Sequence, residues 1–416
     1  MTAIVFIVGN SMADAVGGIG RSYRGVFEKL GYEFIEINMP EKERALQQLN
    51  ALIHTDVAFA FSFMAMGTDI LVDIEGGKSA DIWELLHIPY ISLYGDSPSY
   101  FFDRHVLRNP GYIALYGFPE HFEMRKRFPH INGLINTYSP TAIDVVGKEQ
   151  IDFKAKADGA VILLKNGNDP QKLKAMWLAA LSPKISAVLN DLAHELETRV
   201  NDKATTQIDD LVLRYFQDRN IDIAALAKLR LFLIAQLDDY LRRFKATLLV
   251  ESLLDLPVLL NGYNWDHIDF TGKRLQYVPG GHYGTSRTLI RECLAMIDMS
   301  PNTGLAPHDR VLRAFGSHTL CLTNEQEFFR RELPCSDDYF YRFDKDNIQS
   351  RVADIFTHRQ RSIDIGATVA DAFMQKFPPE IFAHQTLELA ALARCNQLSG
   401  LPKGIPDYFS WPPTRL

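Results

Sequence analysis

The sequence contains little cysteine. Four cysteines stand among 416 residues, no two of them form a C-x-x-C pair, and no histidines cluster with them. Disulfide-stapled scaffolds are dense in cysteine, and structural zinc sites use closely spaced Cys and His, so both classes are disfavoured. Cys293 and Cys321 lie in apolar, strand-like runs, and we expect both to be buried free thiols.

Long apolar runs are also missing. No stretch stays apolar for the 18 or so residues that a membrane-spanning helix needs, and the run 4–8 is too short for the core of a signal peptide. We therefore expect a cytoplasmic protein with no integral membrane segment, although peripheral contact with a membrane stays open.

Basic charge is not in excess. Lys and Arg number 44 against 51 Asp and Glu, which gives a formal net charge of −7. A general nucleic-acid-binding surface needs basic excess, so we expect no nucleic-acid partner, while a local basic pocket for one phosphorylated ligand remains open. The 47% hydrophobic and 23% charged residues are typical of a folded globular protein, and the length suggests two or three packed units.

Three enzyme signatures are absent as well. The chain has no P-loop, no G-x-S-x-G and no G-x-G-x-x-G after a strand. P-loop enzymes, hydrolases with a nucleophile elbow and enzymes with the dinucleotide fingerprint therefore lack support.

What the sequence does contain is a repeated alternation of short apolar runs and amphipathic stretches. Residues 1–165 carry apolar runs at 4–8, 57–63 and 112–116, among others, with helical periodicity between them. Continuous apolar runs are typical of strands that are covered on both faces, and alternation with helices favours a mostly parallel sheet. The alternation returns after Pro257.

Between these parts the chain changes character. Residues 170–250 contain no glycine and follow a 3.6-residue apolar period, with a helix start at Ser182-Pro183. The apolar stripes indicate a core face more often than a groove for a partner. We therefore expect four parts: an N-terminal Rossmann-like domain over 1–168, a helical module over 169–250, a second Rossmann-like domain over 251–376, and a C-terminal helix and tail over 377–416.

The densest chemical signal lies in residues 300–323. A strand ends at a loop with Asn302 and Gly304, and Pro307 then marks the first turn of a helix that carries His308 and Arg310. Free N–H groups and the dipole at a helix N-terminus attract anions, and glycine allows close approach of a pyrophosphate. The segment predicts a phosphate site.

This segment, N-x-G-x-x-x-H-x-R-V-L, resembles the donor half of GT-B glycosyltransferases, and most of all the branch related to the CgeB-like spore-maturation proteins. The strand-end turns Asn261-Gly262-Tyr263 and Gly280-Gly281-His282 fit that layout, and Asn324 follows the next strand. Gly17-Gly18-Ile19-Gly20 resembles the glycine loop of the acceptor half, and the strand that ends before Gly95-Asp96 resembles a further segment of the branch.

The resemblance implies two Rossmann-like lobes of the α/β class, with a C-terminal helix that crosses back to the first lobe. It also implies transfer of a sugar from a nucleotide-sugar donor, with no cofactor, to a glycan, a protein or a small molecule. Asn302, Gly304, His308, Arg310, Gly262, Tyr263, Gly281, His282 and Asn324 would contact the donor, and Gly17 and Gly18 the acceptor side.

Charge stabilisation by Arg310, His308 and a helix N-terminus makes a metal unnecessary in this scheme. Inverting transfer also needs a base near the acceptor hydroxyl, for which Asp96 is the first candidate and Asp14 the second. Many retaining members carry two glutamates seven residues apart around this helix, and this chain does not. The stereochemical class therefore stays open.

Each candidate also has a structural interpretation. The glycines can serve tight turns, His308 can cap its helix, Arg310 can pair with an acid, and Asp96 can form a turn before Ser97-Pro98. The D-x-D sequence Asp344-Lys345-Asp346 could hold a metal or open a helix. Two other functions remain: a non-catalytic nucleotide-sugar or carbohydrate-binding protein on the same fold, and an interaction protein that uses the helical module.

Overall fold

The computed structural model describes residues 1–9, 14–74, 78–106, 109–128, 133–203 and 207–399. The chain divides into two compact units. The first comprises Met1–Ile143 and the chain from Phe377 onward, and the second comprises Asp144–Lys376. Each unit is described by itself.

The first unit is built on a six-stranded, fully parallel sheet. Its strands, with a separate two-stranded antiparallel hairpin (β4 and β5), are β1 (Ala3–Val8), β2 (Glu33–Asn38), β3 (Val57–Phe63), β4 (Leu71–Ile74), β5 (Lys78–Asp81), β6 (Tyr90–Tyr94), β7 (Tyr112–Tyr116) and β8 (Leu134–Thr137). The order in the sheet is β2-β1-β3-β6-β7-β8. All residues of β1, β6 and β7 are buried, as expected of strands that are covered on both faces.

Helices cover this sheet. They are α1 (Ala15–Ser22), α2 (Arg24–Lys29), α3 (Lys42–Ala51), α4 (Ile82–Leu85) and α5 (Pro119–Lys126). One face packs around Trp83 and Tyr90, and the other is a phenylalanine-rich layer in which the Phe6 and Phe61 rings stack with centroids 4.7 Å apart.

The second unit carries another six-stranded parallel sheet. Its strands are β9 (Val161–Leu164), β10 (Val258–Gly262), β11 (Gln276–Pro279), β12 (Ala295–Ile297), β13 (Leu320–Asn324) and β14 (Phe340–Tyr341). The order is β11-β10-β9-β12-β13-β14, with β9 hydrogen-bonded to both β10 and β12. The α/β class expected from the sequence is confirmed by these two sheets.

The helices of the second unit include the glycine-free region. They are α6 (Phe153–Asp158), α7 (Pro170–Ala180), α8 (Pro183–Thr198), α9 (Ile208–Gln217), α10 (Ala227–Leu253), α11 (Tyr283–Glu292), α12 (Asp309–Gly316), α13 (Glu327–Glu332), α14 (Lys345–Thr357) and α15 (Arg359–Lys376). The long helix α10 contacts α7, α8, α9 and α14. Fourteen of its residues are buried, so its apolar stripes form core.

Two of the expected boundaries need correction. The run 161–164 was expected in the N-terminal domain, but it is the central strand β9 of the second sheet. The sequence could not show this, because strand order is set by tertiary pairing. The region 169–250 groups with the second unit rather than standing as a separate module.

The last helix, α16 (Pro379–Ser399), packs on β3, β6 and β7 of the first sheet. Its Phe382 stacks on Tyr23 with ring centroids 4.0 Å apart, and its Gln385 amide donates to the carbonyl oxygen of Thr137 at 2.7 Å. The chain therefore returns to the first unit after completing the second. The proline-rich tail lies outside the described residues.

Among the described helices none is long and apolar enough to cross a membrane. Cys293 and Cys321 are buried free thiols, as expected, and burial raises the pKa of Cys293 to about 12.

A buried ion pair joins α9 to α10 and gives a stability test. Arg230 donates from Nε and Nη2 to the two carboxylate oxygens of Asp209, both at 2.6 Å, and both residues are buried. Removal of one partner leaves an uncompensated buried charge, so we expect Arg230→Met to lower the free energy of unfolding by about 3–5 kcal/mol. Urea denaturation of the purified protein measures it.

The matched control removes both charges. Arg230→Met with Asp209→Leu replaces the pair by apolar side chains and should recover most of the lost stability. A double variant that is no more stable than the single one would contradict this account of the pair.

Candidate functional site

The strand order of the second sheet creates a crevice at one position. The chain runs from β9 outward to β10 and β11, and then returns to place β12 on the other side of β9. Ligands of open parallel sheets bind at such a switch point, outside the carboxyl ends of the strands. Here Lys165 follows β9 and Asp298 follows β12.

An ion pair fixes one cation at this switch point. Arg310, in the first turn of α12, donates from Nε to Oδ1 of Asp298 at 2.8 Å. Asp298 is fully buried, and its backbone is held by Leu322 and by the Tyr341 hydroxyl, which donates to its carbonyl oxygen at 2.9 Å. The alternative interpretation of Arg310, an ion pair with an acid, is observed, and the acid is the buried carboxylate of Asp298 at the crevice.

A second cation lies beside this pair. The Lys165 side chain is partly exposed, and its ammonium makes no hydrogen bond or ion pair within the part of the chain that the structure describes. Burial lowers the pKa of Lys165 to about 7; Arg310 and Arg242 lower it further, while Asp298 and Asp309 oppose the shift. Lys165 therefore offers a positive charge that the protein itself does not neutralise.

The N-terminus of α12 completes the crevice. His308 is the N-cap residue, and its Nδ1 lies 2.7 Å from Oδ1 of Asp309 and 3.4 Å from the backbone nitrogen of Arg310. Burial raises the pKa of Asp309, but His308, Arg310 and Arg313 outweigh it, so the net shift is downward. The capping interpretation of His308 is therefore part of its role.

Asn302 has a different task from the expected donor contact. It is buried in the left-handed region with φ 37°. Its Nδ2 donates to the Asp238 carboxylate at 2.9 Å, and its Oδ1 accepts from Lys245 Nζ at 3.0 Å. Burial lowers the pKa of Lys245 to about 8, although Asp238 opposes the shift. The side chain of Asn302 thus ties the loop before α12 to helix α10.

Two further expected residues also hold this loop. The Asn324 side chain accepts from the backbone nitrogen of Ser300 at 2.8 Å. The carbonyl oxygen of Gly304 accepts from the backbone nitrogen of Phe328 at 3.1 Å. Direct contact of Gly304 or Asn324 with a donor stays a prediction.

The other donor candidates lie at the carboxyl ends of β10, which pairs with β9, and of β11, the edge strand beyond it. Tyr263 is 42% exposed, and its ring lies where a side chain on Gly280 would otherwise be. Gly281 borders the Asn261 amide, and His282 caps α11 by accepting from the Gly284 nitrogen at 3.2 Å. These residues lie near one another at the carboxyl ends of β10 and β11, and their contact with a donor stays a prediction.

Sterics explain why a glycine stands at position 262. A Cβ there would lie 1.8 Å from the carbonyl oxygen of Lys165. The glycine therefore lets β10 approach the end of β9 closely, at the residue that supplies the unpaired cation.

The glycines of the first unit do not form the expected loop. Gly17 and Gly18 lie inside helix α1, and Gly20 packs against the Phe6 ring, where a Cβ would come within 2.0 Å of a ring carbon. Packing explains why these glycines are in a helix and not in a loop, because helix α1 needs a small residue where it lies on β1.

The two base candidates differ in their surroundings. Asp14 has φ 55° and pairs with Arg21 at 2.6 Å. Asp96 is exposed in the loop after β6. Asp344, of the D-x-D sequence, caps α14 by accepting from the Asn347 nitrogen at 2.9 Å, which is the helix-opening interpretation. Among the described residues no group of three or more His, Cys, Asp or Glu could hold a metal.

Lys165, Asp298 and Arg242 were missed from the sequence. A usable signal existed for Lys165, since a lysine directly after a fully apolar run stands at the carboxyl end of a strand. The predicted boundary at residue 168 places this lysine in the first domain, away from the second sheet that holds it.

No family model matches the chain, and no curated protein matches it. Solved structures do resemble it. One is an alpha-glucosyltransferase in complex with UDP-glucose and DNA containing an abasic site, with TM-score 0.51 and 8% identity over 94% of this chain and 99% of that one.

Two more are the T4 phage protein BGT with UDP-glucose (TM-score 0.46, 9% identity, 93% of this chain and 99% of that chain) and Anabaena Alr3699/HepE with UDP-glucose (TM-score 0.47, 8% identity, 94% and 100%). At 8% identity the likeness to the alpha-glucosyltransferase shows a shared fold, which is the GT-B fold expected from the sequence.

The close approach at Gly262 gives a direct test of the crevice. In Gly262→Ala the new methyl group meets backbone, which cannot rotate away, so β9 and β10 must separate near Lys165. We expect a loss of about 1–3 kcal/mol of unfolding free energy, the usual cost of overpacking. Thermal melting of the purified variant measures the loss.

Gly25→Ala is the matched control. A Cβ at Gly25, in helix α2, meets nothing within 4 Å, and alanine suits a helix interior better by about 0.5–1 kcal/mol. Equal melting of Gly262→Ala and wild type would show that the strands are not in close contact there.

Proposed function

We propose that this protein is a glycosyltransferase whose nucleoside-diphosphate-sugar donor binds at the switch point of the second sheet. The observation that carries the proposal is the Lys165 ammonium, which lacks a partner among the described residues and lies beside Arg310 and the N-terminus of α12. A diphosphate is the ligand that suits the unpaired Lys165 ammonium together with a helix N-terminus, with the Arg310 guanidinium held beside them by Asp298.

The sugar nucleotide in the proposal is a uridine diphosphate sugar. The alpha-glucosyltransferase that shares this fold was solved with UDP-glucose, and that is the support for the base. Tyr263, exposed at the next strand end, offers a ring on which a base can stack. Membership of the CgeB-like branch, and a cytoplasmic location, stay predictions that rest on the sequence alone.

In the proposed reaction the crevice stabilises the leaving group. The bond between the anomeric carbon and the diphosphate oxygen breaks, and its electron pair leaves with the diphosphate. The acceptor hydroxyl oxygen forms the new bond to the anomeric carbon, and a base takes its proton. Lys165 and Arg310 would stabilise the charge that develops on the diphosphate, so the proposal includes independence from a metal.

We assign the base to Asp96 in preference to Asp14. The Asp14 carboxylate is held in an ion pair with Arg21 at the start of helix α1. Asp96 lies in the exposed loop that follows β6, at the carboxyl end of the first sheet.

The two alternatives make different demands. An interaction protein that uses residues 169–250 would need an uncovered apolar face, but Leu189, Leu192 and Leu196 of α8 are buried, as is much of α10. That alternative is not favoured. A non-catalytic binding protein on this fold would bind the donor without turnover, so turnover separates it from the proposal.

Donor binding should depend on pH. Lys165 has a pKa of about 7, so it is charged below pH 7 and neutral above it. A diphosphate prefers the charged form, so the affinity for UDP should fall as the pH rises from 7 to 9, by up to about tenfold per pH unit. Titration calorimetry with UDP, with and without EDTA, measures Kd at each pH, and EDTA should leave it unchanged.

Variants at Lys165 assign the effect. Lys165→Met should weaken UDP binding about 10- to 100-fold at pH 7, and Lys165→Arg should bind UDP with no pH dependence above 7, because arginine stays charged. Lys172→Met, on the exposed side of α7, is the control and should bind as wild type does. Absence of binding to UDP, GDP, ADP and CDP alike would overturn the donor site.

The base assignment has its own test. Asp96→Asn keeps the size of the side chain but removes the proton acceptor, so transfer should slow about 10²- to 10⁴-fold with UDP affinity unchanged. Release of UDP from UDP-glucose is followed with a panel of hydroxyl acceptors. Full turnover in Asp96→Asn, with loss in Asp14→Asn, would move the role to Asp14.

A further inference from the structure

The apolar stripes of α8 and α10 are core, but helix α7 beside them keeps one side uncovered. On its inner side Leu173 and Trp177 are buried, and the Trp177 and Tyr240 rings pack with centroids 5.5 Å apart. The Trp177 indole nitrogen donates to the Gln236 side chain at 2.7 Å, and the Trp177 carbonyl oxygen accepts from the Ser186 hydroxyl at 2.7 Å. These contacts fix which side of α7 faces solvent.

The outer side of α7 is apolar along its C-terminal half. Five of the six residues from 175 to 180 are exposed, and all five are apolar. They form what is here termed the α7 face: Ala175, Met176, Leu178, Ala179 and Ala180. Met176 is 55% exposed and Leu178 is 68% exposed. Single exposed apolar residues are ordinary on a protein surface, whereas a group this dense on one short helix marks an interaction surface.

The charge around the α7 face has one sign. Residues 170–190 contain three lysines and no Asp or Glu, in a chain whose formal net charge is −7. Lys174 is engaged with Glu197 at 2.7 Å. Lys172 of α7 and Lys184, in the first turn of α8, are exposed, and neither makes an ion pair with the described residues. Two ammonium groups therefore stand unpaired beside an apolar surface.

The residue types of this surface favour a lipid bilayer over a protein partner. Protein interfaces are enriched in aromatic residues, Met and Arg, and depleted in Lys and Ala. The α7 face has three alanines and two lysines beside it, and only Met176 is of an enriched type. An anionic bilayer, in contrast, needs apolar side chains that enter the boundary of its hydrocarbon and lysines that lie beside its headgroups.

The dimensions of α7 suit that boundary. Its 11 residues span about 16 Å, which is roughly half the hydrocarbon thickness of a bilayer, so the helix lies on a membrane and does not cross it. A helix in the membrane plane buries its apolar side by about 5–10 Å. Lys172 stands one turn before Met176, and the stem of a lysine can follow apolar surface while its ammonium reaches the lipid phosphates.

We propose that the α7 face, together with Lys172 and Lys184, is a docking surface for an anionic lipid bilayer. Met176 and Leu178 enter the boundary between headgroups and acyl chains, and the two lysines bind lipid phosphates. The net charge of −7 opposes general attraction to such a membrane, so binding depends on this local surface. The proposal goes beyond the donor site and does not depend on sugar transfer.

The test is sedimentation of the full chain with vesicles of equal parts phosphatidylcholine and phosphatidylglycerol, and with vesicles of phosphatidylcholine alone. We expect binding to the anionic vesicles that is at least tenfold tighter than to the neutral ones and that weakens at high salt, which screens charge. Lys172→Gln with Lys184→Gln should weaken it about 30-fold, since each lysine near the surface contributes about fivefold. Met176→Ser with Leu178→Ser should weaken it at least tenfold, because apolar burial is lost.

Helix α3 offers the matched control. Lys42 and Leu46 are an exposed lysine and an exposed leucine on that helix, and they lie near Glu41 and Glu43. Lys42→Gln with Leu46→Ser should therefore bind the anionic vesicles as wild type does. All the substituted side chains are exposed, so each variant should melt at the temperature of wild type.

Absence of binding to the anionic vesicles would overturn the proposal, as would wild-type binding by either α7 variant. A second copy of the chain is the rival occupant, and sedimentation velocity without lipid tests it. A dimer that Met176→Ser with Leu178→Ser separates into monomers, with no binding of vesicles by wild type, would overturn the proposal and assign the α7 face to self-association.

Discussion

The buried carboxylate of Asp298 is the constraint on which the crevice of the second unit depends. A fully buried charge at a strand end needs a partner, and Arg310 supplies it at 2.8 Å. The pair fixes the direction of the Arg310 side chain and consumes one positive charge. Lys165 is then left over, held at the end of β9 by the same sheet, and its charge is open to a ligand.

The helical region 169–250 is best understood through the loop that it braces. Asn302 sits in a backbone conformation that few non-glycine residues adopt, with hydrogen bonds to Asp238 and Lys245 of α10. A strained residue in a buried polar network persists only where its partners are all present. Helix α10 therefore does more than fill space, because it sets the loop from which α12 and Arg310 begin.

A feature of this structure is predictable from the sequence when neighbouring residues determine it, and is not predictable when contacts between distant parts of the chain determine it. Buried strands such as β3 and β7 are visible as continuous apolar runs, and the turn at 302–310 that opens α12 is visible because helix capping uses local residues. Strand order is not local, so the sequence predicts neither that β9 belongs to the second sheet nor that Lys165 lies at its switch point. Short elements are not predictable for a different reason. Strand β14 has two residues, which are too few to show a hydrophobic period.

The sequence also cannot predict the role of a residue when that role depends on tertiary contacts. The residues around Asn302 are typical of a ligand-binding loop. Only the position of α10 shows that the Asn302 amide is bonded inside the protein. Gly20 was grouped with a binding loop because glycine clusters commonly form one, whereas its neighbour is the Phe6 ring. In both cases the residue type was informative and the contact that explains it lies elsewhere in the chain.

The two sheets share a parallel design but differ in the charge at their switch points, and this difference carries the functional argument. The second sheet presents Lys165, Arg310 and a helix N-terminus, an arrangement that selects an anion. The first sheet is bordered by a cavity of about 400 Å³ that carries the exposed carboxylates of Asp69 and Asp103, which disfavour an anion there. The charge distribution therefore favours the second sheet for the proposed diphosphate donor.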